Sequence, residues 1–300
     1  MSWIQIRVHA QRNQVNSVED TLMANGALSV TLQDDADQPI LEPELGTTPI
    51  WDETQIIGLF DANQNSEVLL KNLRTFYHNA SGQELPTHKL EILEDKDWIR
   101  AWMEDYHPMQ FGKRLWVCPS WQKPPQPEAV NLMLDPGLAF GTGTHPTTDL
   151  CLQFLDQEVK GDELVVDYGC GSGILGIAAL LLGAKEMVGV DIDPQALTAT
   201  RDNAGRNNIG DELYDVFLPE KAPQVEGDIM VANILAGPLQ SLAPEIAKLT
   251  RPGGKLALSG LLAEQAEDVS KCYSQWFDMQ PAKQLGDWVL LSGTKRPPQG

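Results

Sequence analysis

Cysteine is scarce in this 300-residue sequence, and its spacing excludes the common cysteine-based sites. The four cysteines are Cys118, Cys151, Cys170 and Cys272. They form no C-x-x-C pair and no zinc-ligand spacing. A disulfide-stapled secreted domain and a zinc module are therefore not expected, and a reducing compartment is.

Long apolar runs and an excess of basic residues are also missing. No stretch approaches the about 20 apolar residues that a membrane-spanning helix needs. The first ten residues, MSWIQIRVHA, lack a signal-peptide pattern, so we expect a cytoplasmic protein with no membrane partner. Lys and Arg total 22 against 42 Asp and Glu, a net charge of -20. Such a surface repels nucleic acid and attracts cationic partners, unless the acidity serves solubility alone.

What the sequence does contain is a glycine-rich motif between two apolar runs. Residues 164–193 read LVVDYGCGSGILGIAALLLGAKEMVGVDID, where the second run stops at Asp191. Glycines allow a sharp turn and close backbone approach, and helix amides point at a ligand. A carboxylate on the next strand tip can bind both ribose hydroxyls. The pattern predicts a strand, turn, helix and strand around a nucleoside. The alternating glycines are Gly169, Gly171 and Gly173.

The glycine spacing distinguishes between possible nucleoside ligands. Dinucleotide sites carry G-x-G-x-x-G, facing a pyrophosphate, whereas this chain has G-x-G-x-G. The motif resembles that of class I S-adenosylmethionine-dependent methyltransferases, and Asp191 resembles their ribose-binding acid. Their cofactor has no phosphate, which suits a tight turn without nearby basic residues. A nicotinamide-dependent dehydrogenase, and glycines that serve packing alone, remain alternatives.

Residues 1–93 are predicted to form a small separate domain. Alternating apolar residues predict strands at Ile4–Val8, Leu28–Leu32, Ile56–Phe60 and His88–Leu93. One helix is expected from an N-cap at Ser17 to Gly26, and another from Ser66 through His78. The apolar face expected for the second helix is Val68, Leu69, Leu73 and Phe76. The order β-α-β-β-α-β is the ferredoxin-like pattern.

The charge of this small domain bears on its partner. It has five Lys and Arg against thirteen acidic residues, and no aromatic-rich strand typical of RNA-binding modules. Direct nucleic-acid binding is therefore not expected. Docking of a basic protein is the favoured interpretation, and a purely structural domain is the alternative.

The remainder of the chain predicts an α/β domain. Residues 94–108 are expected to form a connecting helix carrying Trp98, Trp102 and Tyr106. Residues 109–294 then form a catalytic domain in which strand and helix patterns alternate, which predicts a doubly wound, Rossmann-like and mostly parallel sheet. Its last strand is expected at Asp287–Gly293, and 295–300 is expected to be a frayed tail.

Two further segments carry candidate chemistry. Residues 135–148, DPGLAFGTGTHPTT, form a glycine- and threonine-rich loop before a helix. This loop could close over one end of the cofactor, with Thr147 or Thr148 offering a hydroxyl at the helix start. The alternative is an ordinary capping loop with threonine at the N-cap. His145 is either a base or a bystander.

The second segment, DIMVANILAGP at 228–238, predicts a strand that ends at Asn233. Ligands sit at the carboxyl ends of strands in open α/β sheets, so Asn233 is a candidate for binding the cofactor and orienting an amine. The position resembles the N-P-P-Y motif of amide and amine methyltransferases. Here Ile-Leu-Ala replaces Pro-Pro-Tyr, which disfavours a glutamine or base amide as substrate.

Together these segments resemble the bacterial ribosomal protein L11 methyltransferase family. The resemblance implies that the N-terminal domain recognises the ribosomal protein, free or on the large subunit. It also implies S-adenosylmethionine-dependent methylation of an α-amine and lysine ε-amines, with cofactor contacts at Thr148, Gly169, Asp191 and Asn233. We also expect Gly171 to contact the cofactor and the protein to be a monomer. Tyr168 and Gly176 depart from the family fingerprint and are expected to be silent. The matching segments are 94–98, 107–121, 134–148, 167–179, 189–196 and 232–239.

Other functions remain open at this point. The substrate could be another basic protein or amine, or the chain could be a non-enzymatic ribosome-associated binder. No metal-ligand cluster is present in the sequence, and the expected displacement reaction needs no metal.

Overall fold

The structure is a computed structural model that describes residues 3–35, 50–93, 107–135 and 145–298. The chain divides into two compact units, Met1–Asp105 and Tyr106–Gly300. The predicted connecting helix covers 94–108. Its residues 107 and 108 are described but are not helical, and its residues 94–106, with the three aromatic residues, lie outside the described residues. So does most of the glycine- and threonine-rich loop, residues 136–144.

The first unit is an antiparallel sheet packed against two helices. Its strands are β1 (Trp3–Gln11), β2 (Ser29–Asp34), β3 (Glu53–Asp61) and β4 (His88–Leu93), in the order β2-β3-β1-β4. Its helices are α1 (Val15–Ala24) and α2 (Ser66–Ser81). Along β1 every second side chain is buried, because alternate positions share the face that meets the helices. This is the predicted ferredoxin-like topology.

The helix boundaries of this unit differ from those predicted. Ser17 is not an N-cap, because a 3-10 turn at Arg12–Gln14 leads directly into α1 and places Ser17 inside the helix. Helix α2 is capped by Asn65, whose side chain accepts two backbone amides, and ends at Gly82. The prediction of the apolar face of α2 was right for Leu69 and Leu73 and wrong for Val68 and Phe76. Leu69, Leu73 and Tyr77 are buried, whereas Val68 and Phe76 are exposed.

The second unit begins with a three-stranded sheet that sequence reasoning did not predict. Its strands are β5 (Met109–Phe111), β6 (Leu115–Cys118) and β7 (Val130–Met133). Asp156, on the following helix α3 (Pro146–Glu158), fixes the turn between β5 and β6. Its carboxylate accepts the amides of Lys113 at 2.7 Å and Arg114 at 3.2 Å, and Arg114 Nε at 3.1 Å. The short strands are thereby bonded to the main body of the unit.

The main sheet has eight strands, in the order β10-β9-β8-β11-β12-β15-β13 with β14 paired to β15. The strands are β8 (Leu164–Tyr168), β9 (Glu186–Val190), β10 (Tyr214–Phe217), β11 (Gly227–Asn233), β12 (Thr250–Leu262), β13 (Phe277–Met279), β14 (Lys283–Leu285) and β15 (Trp288–Lys295). The first five in the spatial order are parallel and β15 is antiparallel. The strand order reverses between β8 and β11, the position at which such sheets bind ligands.

Helices and two apolar clusters accompany this sheet, as expected for a doubly wound fold. The helices after α3 are α4 (Ile174–Leu182), α5 (Pro194–Arg206), α6 (Ala236–Ser241), α7 (Ala243–Lys248) and α8 (Ala266–Tyr273). Neighbouring residues of β8, Val165 and Val166, are fully buried in different clusters because successive strand residues face opposite sides.

The C-terminal strand is longer than predicted, and the prediction of a frayed tail from residue 295 was wrong at its start. Lys295 belongs to β15, and its ammonium donates to the carbonyl of Thr250. The amide of Arg296 donates to the carbonyl of Trp276 at 2.9 Å. These bonds hold both residues against the sheet.

Candidate functional site

The glycine turn lies at the carboxyl end of β8. Gly169, Gly171 and Gly173 all have positive φ, at 82°, 55° and 79°. This left-handed backbone is strained for residues with a Cβ and open to glycine. Helix α4 starts directly after Gly173, so its free amides face the space beyond the turn.

Two buried side chains of α5 hold this turn from behind. Thr200 Oγ1 donates to the carbonyl of Gly171 at 3.2 Å, and Asn203 Nδ2 donates to the carbonyl of Ser172 at 2.8 Å. Both side chains are buried. Sequence reasoning missed them, because their role depends on the packing of a helix that begins twenty residues after the turn.

Asp191 follows β9 and is bonded to the glycine turn. One oxygen, Oδ2, accepts the amide of Gly171 at 2.9 Å, and Oδ1 accepts the amide of Asp193 at 2.9 Å. A carboxylate has about four lone-pair positions, so it can still accept hydroxyl hydrogens. The neighbouring Ile192 is 83% exposed. An apolar side chain in water beside a hydrogen-bonding acid suits a ligand that has both a sugar and an aromatic ring.

Asn233 and Thr148 meet at the carboxyl end of β11. Asn233 Nδ2 lies 3.4 Å from Oγ1 of Thr148, a fully buried residue in the first turn of α3. Asn233 Oδ1 is buried and has no hydrogen-bond partner among the described residues. Because a buried acceptor without a donor is costly, this oxygen marks a position where a ligand donor fits.

The turn after Asn233 joins the two groups of predicted residues. A Cβ built on Gly169 would lie 2.3 Å from Cγ2 of Ile234. Ile234 therefore packs directly on the glycine turn, and Asn233 lies beside it. The structure thus places all five predicted residues, Thr148, Gly169, Gly171, Asp191 and Asn233, at the carboxyl ends of β8, β9 and β11 or against them.

Asp167 is a fully buried carboxyl beneath this site. Its pKa is raised to about 7 in total, mainly by burial and also by the charge of Asp191, while the hydrogen bond from the amide of Gly176 lowers it. Oδ2 accepts that amide at 2.9 Å, and Oδ1 has no partner among the described residues. A methyl group at Gly176 would contact Met187 at 2.7 Å. A side chain at this position would therefore require Met187 to move. That this departure from the family fingerprint has no effect on function stays a prediction.

Comparison with known proteins gives a consistent result over nearly the whole chain. The family model for ribosomal protein L11 methyltransferase (PrmA) matches residues 2–296. This chain belongs to that family. The ribosomal protein L11 methyltransferase of Cellvibrio japonicus is 56% identical over 295 residues, 98% of this chain and 99% of the relative. That of Marinobacter nauticus is 54% identical over 99% of both chains.

A solved structure supports the same assignment. The ribosomal protein L11 methylase of Lactobacillus delbrueckii subsp. bulgaricus is 31% identical, with a TM-score of 0.56. The match covers 64% of this chain and 100% of that one. Family membership and the Rossmann-like fold confirm the resemblance expected from the motifs. The comparisons do not favour the nicotinamide-dependent alternative.

In this family member, His145 has a structural role. It is the N-cap of α3, and its Nδ1 accepts the amide of Thr147 at 3.3 Å and lies 2.7 Å from the Thr147 hydroxyl. Its ring meets Trp288 edge to face at 4.7 Å, and burial lowers its pKa. An imidazole whose Nδ1 already accepts a backbone amide agrees better with a positioning role than with a base. The expected threonine cap is therefore replaced by histidine.

Residues 3–35, 50–93, 107–135 and 145–298 contain no group of three or more His, Cys, Asp or Glu that could hold a metal ion. No helix within these ranges is long and apolar enough to cross a membrane.

Proposed function

We propose that this chain transfers methyl groups from S-adenosylmethionine to amines of ribosomal protein L11, at its N-terminal α-amine and at lysine side chains. The observation that carries the proposal is the unpaired Oδ1 of Asn233, buried beside a glycine turn of the methyltransferase type. Curated relatives more than half identical to this chain are named ribosomal protein L11 methyltransferases.

The site residues fit this cofactor. Asp191 would accept the ribose hydroxyls, and exposed Ile192 would cover the adenine. The turn at Gly169 and Gly171 brings backbone close to the ligand without a Cβ in the way. Thr148 and Asn233 would border the methionine end. When bound, the cofactor supplies an electrophilic methyl group on a positively charged sulfur.

The chain must supply a neutral, oriented amine. A lysine amine has an ordinary pKa of about 10.4, so neutralising it at pH 7 costs about 4.6 kcal/mol, against about 1 kcal/mol for an α-amine. Desolvation lowers an amine pKa, and Ile234 and the half-exposed Leu235 provide apolar surface for it. The proton passes to solvent before attack. Phe140, which we expect at the same mouth, lies outside the described residues.

Asn233 would orient the amine after deprotonation. Its amide nitrogen faces the Thr148 hydroxyl, which leaves Oδ1 to accept one N–H of the amine. That bond directs the nitrogen lone pair toward the methyl group, and orientation of this kind can contribute several kcal/mol. No charge is added near the amine, so its pKa is not raised.

We also propose that residues 1–93 recognise the protein substrate. Their excess of acidic over basic residues suits a basic partner, and the charge would steer encounter more than it would set affinity. We further propose that the enzyme acts as a monomer in the cytoplasm, on ribosomal protein L11 free or on the large subunit, without direct nucleic-acid contact.

Mass spectrometry tests the transfer itself. Purified ribosomal protein L11 and a mixture of other ribosomal proteins are incubated with the enzyme and isotope-labelled cofactor. Labelled methyl groups on amines of L11 are expected. Label on other proteins only would point to another basic substrate, and no label would contradict the transferase assignment.

Calorimetry tests the cofactor site separately. Asp191→Ala removes both ribose acceptors, so we expect at least a tenfold loss of S-adenosylmethionine affinity, which corresponds to about 1.4 kcal/mol. Asp215→Ala, on the neighbouring strand β10 and exposed, is the matched control. Near-normal affinity of Asp191→Ala would contradict the site, and titration with NADH checks the dehydrogenase alternative.

Removing residues 1–93 tests the recognition role. The shortened chain should bind cofactor like the full chain and lose methylation of ribosomal protein L11. Full activity on L11 would show that the first unit is structural.

A further inference from the structure

We propose that Gly260 is a positioning residue for methyl transfer, because it sets the place of the turn that carries Asn233. The proposal rests on the function proposed above. Gly260 lies in β12 and belongs to none of the motifs that point to the cofactor. Its role follows from packing between segments that are distant in sequence.

Gly260 lies in a β-bulge at the centre of the sheet. On one side of β12, Ser259 pairs in parallel register with Asn233, the last residue of β11. On the other side, the register against β15 shifts between Leu258 and Leu261, so that β12 carries one extra residue. Such a bulge bends a strand and redirects its side chains. The φ of Gly260 is +87°, which favours glycine.

The bulge leaves room for the backbone of Ile234. A Cβ on Gly260 would lie 2.4 Å from the Ile234 carbonyl oxygen, 2.7 Å from its carbonyl carbon and 2.9 Å from its nitrogen. These are backbone atoms, so the clash cannot be relieved by a side-chain rotation. The turn itself would have to move.

Ile234 is confined from the opposite direction as well. A Cβ on Gly169 would lie 2.3 Å from its Cγ2. Gly169 of the glycine turn and Gly260 of β12 therefore hold Ile234 between them, and Asn233 precedes it in the chain. A shift away from Gly260 would displace the unpaired Oδ1 of Asn233 from the position where it meets the amine.

A second contact fixes the bulge. Ser259 Oγ donates to the carbonyl of Val289 in β15 at 2.8 Å, and Ser259 is fully buried. A continuous series of contacts thus runs from β15 through the bulge to Ile234. It ends next to Asn233, the residue that we assign to amine orientation.

The test compares Gly260→Ala with Gly286→Ala. Gly286 also has positive φ, at 61°, but a Cβ there meets no atom within 4 Å. Both variants carry left-handed strain, and Gly260→Ala alone displaces the turn. Cofactor affinity and binding stoichiometry are measured by calorimetry, and the single-turnover rate on ribosomal protein L11 is measured per cofactor-binding molecule. A misplacement of about 1 Å can cost on the order of 100-fold in rate.

We expect Gly286→Ala to match the wild type in rate. We expect Gly260→Ala to lose about 10- to 100-fold in single-turnover rate at saturating cofactor, a larger loss than its loss of cofactor affinity. Equal rates for the two variants would overturn the proposal. If Gly260→Ala does not fold, Ser259→Ala removes the bond to Val289 without adding volume. It should lower the rate at unchanged cofactor affinity, and an unchanged rate would overturn the proposal.

The wild-type control separates this proposal from the proposed function. A wild-type enzyme that binds cofactor but does not methylate would overturn the function, and this proposal with it. An active wild type beside an equally active Gly260→Ala would overturn this proposal alone.

Discussion

Replacing Asp167 with asparagine should change how stability depends on pH. The wild-type carboxyl is fully buried, and its pKa rises to about 7, mainly through burial. Asparagine has nearly the same shape, cannot ionise, and can still accept the amide of Gly176 through its carbonyl. The variant therefore imitates the protonated carboxyl at every pH.

The sign and size follow from the two pKa values. The ordinary value is 3.8, and the folded value is about 7. Between these values the folded state binds a proton that the unfolded state has released. The extra stability is fully present below pH 4 and is lost as the pH rises through 7. For one such group the loss between pH 5 and pH 8 is about 2 to 3 kcal/mol.

Urea unfolding of the cofactor-free protein provides the assay. Midpoints and slopes are measured at pH 5, 6, 7 and 8 for wild type and Asp167→Asn, using the transition of the larger unit. The free energy of unfolding of wild type minus that of the variant should fall across this range. If the free energies of unfolding of wild type and variant change with pH in parallel, Asp167 is already ionised in the folded state, or water pairs its Oδ1. Asp191→Asn should make this difference in the free energy of unfolding depend less on pH, because the charge of Asp191 contributes to the raised pKa of Asp167.

Two further predictions concern packing. Gly169→Ala should weaken cofactor binding by displacing Ile234. Adding Ile234→Ala should restore part of the affinity in calorimetry and leave a loss of about 1 kcal/mol from left-handed strain. If the losses of the two single variants simply add in the double variant, the clash is refuted. Asp156→Ala should lower the free energy of unfolding by about 2 to 4 kcal/mol, because it leaves two amides and Arg114 without their buried acceptor. The control Asp149→Ala, on the same helix, removes the acceptor of one side-chain bond, from Gln153 Nε2. Its loss in the free energy of unfolding should be smaller in the same urea titration.

The parts of the fold that could be predicted are those encoded by local pattern. Strand β11 ends at Asn233 as expected, because an apolar run stops there. Helix α5 begins at Pro194 behind an Asp193 cap, as the Asp-Pro pair indicates. The glycine turn and Asp191 are likewise close in sequence and lie where the motif placed them. Their roles in binding remain predictions.

The parts that could not be predicted depend on tertiary contacts. Gly260 looks like any strand glycine until the backbone of Ile234 is placed against it. Thr200 and Asn203 belong to a helix whose sequence suggests only a polar surface. The face of α2 was misjudged because Phe76 and Tyr77 are adjacent aromatics, and only the packing shows which one is buried. His145 caps α3 through its own extended backbone and the bond that its Nδ1 accepts from the amide of Thr147.

The position of β15 has a consequence for when the enzyme becomes active. This strand follows all the others along the chain, yet it lies between β12 and β13 in the sheet. It supplies the carbonyl that fixes Ser259 and the ring that meets His145. A nascent chain on the ribosome would therefore carry Asn233 before β15 could fix the bulge that sets the place of the next residue, Ile234. The enzyme should become active in one step, when residues 288–295 have left the exit tunnel and joined the sheet.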